Sequence, residues 1–136
     1  MPAAERAFID SNIVLYALDA DQQKRDVAWN LLFTRPCISL QVLNECSNVL
    51  NRKRQWHVQD VAQALDKILR FVTVEYSDIA TVRLAWKLLE RYRFSYYDSL
   101  ILAAALSAGC SLLYSEDMQH EQVIEGRLTI VNPFLK

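Results

Sequence analysis

Five short apolar runs, Ala7–Ile9, Cys37–Ser39, Val72–Glu75, Ser111–Tyr114 and Leu128–Val131, alternate with longer stretches of helical periodicity. Nothing else in the sequence narrows the fold as much. The runs are too short for helices, are bounded by polar or turn residues, and favour strand formers. Between them, Asp21–Phe33, Gln41–Lys53, Val58–Phe71 and Asp78–Tyr92 each repeat apolar residues at helical spacing. Tyr97–Ala108 is apolar almost all round, so it should be covered on both sides. Ser39, Ser77 and Ser95 stand as N-caps, and Gly109 stands where a left-handed C-cap is expected. Strands separated by helices predict an α/β domain with a parallel sheet and helices on both faces. Right-handed crossovers put every strand's carboxyl end on one rim, and ligands bind there near the reversal of strand order.

The length of 136 residues suits one domain with its own core, and 52% apolar content argues against disorder. The longest apolar run, Leu100–Leu106, is far too short to span a bilayer, and the start Met1–Arg6 shows no signal-peptide pattern. The expectation is a cytoplasmic protein with no membrane partner. Cys37, Cys46 and Cys110 are odd in number and widely spaced, so no disulfide framework or CxxC metal site is indicated. With only Gly109 and Gly126, a P-loop or dinucleotide fingerprint is excluded. His57 and His120 lie in polar segments without a nucleophile motif, against Ser-His-Asp chemistry and a His-rich zinc site. A net charge of −1 argues against wrapping nucleic acid by bulk electrostatics.

The carboxylates carry the chemistry. Asp10 ends the first strand-like run and Asp117 follows the fourth, while Glu45 and Asp98 lie within apolar helical stretches where a free carboxylate is costly to desolvate. Each has an ordinary explanation. Asp10 can cap the turn Ser11–Ala17, and Asp98 fits the third position of a helix capped by Ser95. Glu45 can reach water from a helix flank, and Asp117 can sit in a turn helped by Ser115. Together, on two strand ends and two flanking helices, they suggest one acidic pocket. Mutual repulsion there would raise their pKa values, and a hard divalent cation, Mg2+ or Mn2+, would relieve it. Such ions activate water and stabilise the leaving oxygen of a phosphodiester.

The segments Phe8–Ile13, Val42–Glu45, Tyr97–Ile101 and Leu113–Met118 together resemble the PIN-domain family, most closely the VapC-type toxins of bacterial toxin–antitoxin pairs. The resemblance implies a three-layer α/β/α fold with a five-stranded parallel sheet, its first and fourth strands adjacent. It implies a Mg2+- or Mn2+-dependent endoribonuclease whose four acids are Asp10, Glu45, Asp98 and Asp117. Ser115 and Asn12 match its supporting polar positions, and Glu116 is a candidate to share the metal with Asp117. An RNA substrate, a cognate antitoxin and a homodimer are also implied.

Arg52 and Arg54 flank Lys53 before Trp56, and Arg91 and Arg93 alternate with Tyr92 and Phe94. Cations of this kind hold phosphates while aromatic rings stack unpaired bases. They also serve as helix C-terminal charges and core packing. Near-neutral charge suggests selective cleavage of structured RNAs rather than bulk degradation. Two other readings compete. A phosphoaspartyl enzyme would need a second acid beside Asp10 or a late lysine, and Lys87 and Lys136 are poorly placed. A PIN-like scaffold would bind RNA or a partner without cutting.

Overall fold

The computed structural model describes residues 5–135, so most of the amino-terminal stretch read for a leader, and Lys136, lie outside the described residues. The strands are β1 (Ala7–Ile9), β2 (Cys37–Ser39), β3 (Thr73–Glu75), β4 (Leu112–Tyr114), β5 (Val123–Ile124) and β6 (Leu128–Val131). The helices are α1 (Ser11–Tyr16), α2 (Gln22–Leu32), α3 (Leu40–Asn48), α4 (Val58–Leu69), α5 (Ile79–Tyr92) and α6 (Tyr96–Ser107). They form an α/β domain around one sheet of order β3-β2-β1-β4-β6-β5. Strands β1 to β4 and β6 pair in parallel, and β1 and β4 are neighbours. The chain winds from β1 out to β3 and then returns to β4. Right-handed crossovers therefore put α1–α4 on one face and α5–α6 on the other.

The five parallel strands expected are β3, β2, β1, β4 and β6; a sixth, β5, is added at the edge and runs antiparallel to β6. A two-residue strand leaves no alternation to detect. Its hairpin turns on Glu125 (φ 53°) and Gly126 (φ 63°), both left-handed, as a type I′ turn requires. The helix expected over Gln41–Lys53 divides into α3 and a π-helical turn, Val49–Lys53. Side-chain periodicity does not register one extra residue per turn.

The core follows the apolar pattern. Phe8, Ile9, Ile38, Leu113 and Ile130 of the central strands are fully buried. Six consecutive residues of α6, Ile101–Leu106, are buried as its all-round apolarity requires. Ser39 and Ser95 cap α3 and α6, accepting from the amides of Val42 and Asp98. Ser77 does not cap α5. Asp78 does, in a reciprocal capping box with Thr81, because a carboxylate one residue later reaches the same amide and also suits the helix dipole. Gly109 follows α6 at φ 75°, the left-handed geometry that a residue without Cβ adopts freely. The three cysteines are free and buried.

Candidate active site

The order of the strands turns between β1 and β4, and the residues that follow them meet at the carboxyl rim. The Asp10 amide donates to the carbonyl of Tyr114 at 3.0 Å, which brings Asp10 level with Ser115. Asp10 also caps α1, accepting from the Ser11 amide at 2.7 Å. Its other oxygen accepts from the Ser115 hydroxyl at 2.8 Å. Capping and rim placement are thus one arrangement, with both Asp10 oxygens occupied and the residue 6% exposed. Burial dominates its acidity and pushes the carboxyl from 3.8 up to about 6. The Ser115 and Ser11 donors oppose that rise, while the charges of Glu45 and Asp98 add to it.

Glu45 enters from α3 with both oxygens held. The Ser11 hydroxyl donates at 2.9 Å to one, and the Gln41 amide donates at 2.9 Å to the other. Gln41 also donates to the backbone carbonyl of Tyr97, joining α3 to the first turn of α6. Asp98 lies in that turn, half-buried, and its pKa is raised first by burial and then by the charges of Asp117 and Glu45. Ser95 caps Asp98's amide and lowers its pKa in part. Asp117 is exposed and accepts from the Asn12 side-chain amide at 3.0 Å. Asn12 turns its carbonyl to the Glu116 amide at 3.2 Å, and Ser115 Oγ accepts from the Asp117 amide at 3.3 Å. Asn12 and Ser115 therefore stitch the loop after β4 to the start of α1.

The rim carries four carboxylates from four different elements, and their charges act on one another. None of the four forms an ion pair with a lysine or arginine among the described residues. Hard oxygen donors of this kind suit Mg2+ or Mn2+. Among the described residues no three acids stand close enough to close a metal shell as they lie. An ion here would be held partly through water, the usual habit of magnesium.

Other expected residues lie differently. The Glu116 side chain turns away from Asp117 to the Tyr16 hydroxyl and to Lys24, at 2.9 Å from the ammonium. The Tyr16 hydroxyl, followed by Lys24, holds Glu116 below the usual carboxylate range. The ammonium of Lys24 draws Glu116 away from the acid site. Arg91 pairs with Glu125 at 2.9 Å and Arg54 with Asp19 at 3.5 Å, each neutralised by an acid distant in sequence. Arg52 and Arg93 are exposed. Ser11, Gln41, Tyr16 and Lys24 were not foreseen at the site. Gln41 had a signal, since it stands four residues before Glu45 on one helix face. Ser11 had one as well, as the residue that follows Asp10, whereas Tyr16 and Lys24 reach Glu116 only through space.

This is a doubly wound α/β domain with a cluster of acids on the rim at its point of strand reversal. The chain belongs to the PIN-domain family, whose sequence profile matches residues 7–125. No curated protein matches it significantly. Its fold is shared by solved VapC-type proteins. A toxin–antitoxin complex from Klebsiella pneumoniae aligns with a TM-score of 0.70 at 21% identity, covering 94% of this chain and 98% of the other. The sarcin–ricin-loop-cleaving toxin VapC20 of Mycobacterium tuberculosis aligns with a TM-score of 0.63 at 22% identity, covering 79% and 86%. The DNA-bound VapBC of Salmonella typhimurium gives a TM-score of 0.68 at 17% identity, covering 93% and 97%. No helix among the described residues is long and apolar enough to cross a membrane.

Proposed function

We propose that this protein is a divalent-metal-dependent endoribonuclease, the toxin of a toxin–antitoxin pair. One observation carries the reading: Asp10, Glu45, Asp98 and Asp117 repel one another at the reversal of strand order, without a basic partner among the described residues. Uncompensated like charge gathered on one rim is costly for stability and marks a site suited to a cation. Asp10, Asp98 and Asp117 would hold Mg2+, with Glu45 beside them and Mn2+ as the alternative ion. When bound, the ion supplies an activated water and charge stabilisation at the phosphodiester. The chain's own residues do the positioning. Ser115 orients Asp10, Ser11 and Gln41 fix Glu45, and Asn12 steers Asp117.

The RNA is proposed to meet Arg52 and Arg93, exposed cations without an ion pair among the described residues. An antitoxin is the proposed protein partner, since relatives of this fold from Klebsiella pneumoniae and Salmonella typhimurium are found in such complexes. Leu40, Ile79, Trp86 and Tyr97 are large apolar residues left exposed on α3, α5 and α6. They are the surface we assign to a homodimer, which light scattering would detect.

The deciding experiment incubates the purified chain with structured RNA in Mg2+, in Mn2+ and in excess EDTA, beside an Asp98→Asn variant. Cutting that needs the ion and Asp98 is expected. Equal cutting in EDTA would overturn the metal mechanism. RNA or partner binding without any cutting would favour the scaffold reading.

A further inference from the structure

We infer that Lys24, with Tyr16 and Glu116, is a positioning clamp that sets where the Asp117 carboxylate stands, and so tunes the affinity of the acid site for its divalent ion. The inference rests on the proposed nuclease function and adds residues to it. Asp117 is the most exposed of the four acids, and one side-chain bond, from Asn12, holds its carboxylate. Its position depends on the loop that carries it. Three interactions pin the backbone of that loop: Ser115 N–H to Val131 O, Glu116 N–H to Asn12 Oδ1, and Asp117 N–H to Ser115 Oγ. The fourth anchor is the Glu116 side chain.

That anchor gathers distant parts of the chain. The Tyr16 hydroxyl at the end of α1 donates to Glu116 Oε1. Lys24 in the first turn of α2 donates to Glu116 Oε2 at 2.9 Å and to the Tyr16 oxygen at 3.0 Å. The ammonium lies 4.3 Å from the centre of the Tyr16 ring and 5.2 Å from that of Phe134. Phe134 meets Tyr16 edge to face at 4.9 Å, so the carboxyl-terminal segment closes the clamp. Pairing with Lys24 has a second consequence. It occupies a fifth acid, Glu116, that would otherwise stand beside Asp117 and compete for the same ion. Lys24 and Tyr16 touch no atom of the four acids, so they act through the loop and are not catalytic residues.

The test measures Mn2+ binding by calorimetry to the folded full-length chain without RNA, in wild type, Lys24→Met, Lys24→Arg, Tyr16→Phe and Asp98→Asn. Lys24→Met is expected to weaken Mn2+ roughly tenfold, the low end of what loss of an outer-shell partner costs. Lys24→Arg should recover most of that loss, and Tyr16→Phe, which deletes one oxygen and keeps the ring, should show a smaller one. RNA cleavage by Lys24→Met should return near the wild-type rate at saturating Mn2+. A Lys24→Met protein that melts earlier but binds Mn2+ as wild type does would overturn the clamp, leaving it a stability feature. Should Lys24→Met fail to fold, Tyr16→Phe decides, and unchanged Mn2+ affinity there overturns the clamp. Loss of binding in Asp98→Asn alone would sink the clamp while sparing the nuclease reading. A wild-type chain that neither binds Mn2+ nor cuts RNA would overturn both.

Discussion

The Ser115 hydroxyl donates to Asp10 Oδ2 at 2.8 Å across the seam between β4 and β1, and both residues are buried. This bond joins the two strands where their order reverses, and it partly offsets the burial of the acid. Ser115 Oγ also accepts the Asp117 amide, so one hydroxyl serves two acids.

Ser115→Ala is therefore expected to reach beyond one lost contact. Asp10 is left with an unsatisfied buried oxygen, which costs about 1–3 kcal/mol. Urea unfolding without metal should show that loss at neutral pH. It should shrink in acid, where Asp10 is protonated. RNA cleavage should fall as well, because both Asp10 and the Asp117 loop lose their orientation.

The acidity of Asp10 gives metal-free stability a defined pH dependence. Its carboxyl titrates at about 6 in the folded chain, against an ordinary 3.8. Below about pH 4 it is protonated in both states and costs nothing. Between those values the folded state holds a proton that the unfolded state has released, so stability falls as pH rises. Above about 6 the penalty is constant, at roughly 3 kcal/mol. Unfolding of wild type and Asp10→Asn in EDTA should therefore diverge from pH 4 to pH 6 in favour of the variant. Saturating Mg2+ should reverse the ranking at pH 7, since it binds the charged acid.

Asp98→Asn is expected to stay folded and to melt no lower than wild type without metal, because it relieves repulsion from Asp117 and Glu45. The amide of residue 98 still donates to Ser95, so the helix cap survives. Cleavage should fall by more than the roughly 10–100-fold that follows loss of an outer-shell partner. A large drop in melting temperature would mean that the carboxylate serves helix α6 rather than an ion.

Gln41→Ala and Ser11→Ala each free one oxygen of Glu45. Each is expected to lower cleavage about tenfold with little change in melting temperature. The double variant should lose less than the product of the two, because both act on one carboxylate. A melting scan and initial rates on one RNA would check this.

Much of the fold was legible from periodicity. The runs that became β1, β2, β3, β4 and β6 and the stretches that became α2–α6 were visible, since apolar spacing records which face of an element is buried. Strand β5 and the π-helical turn were invisible, being too short or too slight a change of pitch to alter that spacing. The cap of α5 falls on Asp78 rather than on Ser77, because both are good capping residues and only backbone geometry chooses between them.

The four acids of the candidate site could be nominated from their placement, at strand ends and within apolar helical stretches. Partnership could not. Glu116 looked like a neighbour of Asp117 in the chain yet belongs to Lys24 and Tyr16, and Arg91 and Arg54 looked free for phosphate yet face Glu125 and Asp19. Linear order states which charges a chain carries and which faces want to be dry. Which opposite charges come within reach, and so which acids remain for an ion, depends on how elements far apart in sequence are brought together at the strand reversal. Coulomb attraction and hydrogen bonding act over a few ångströms of space, and folding assigns those distances.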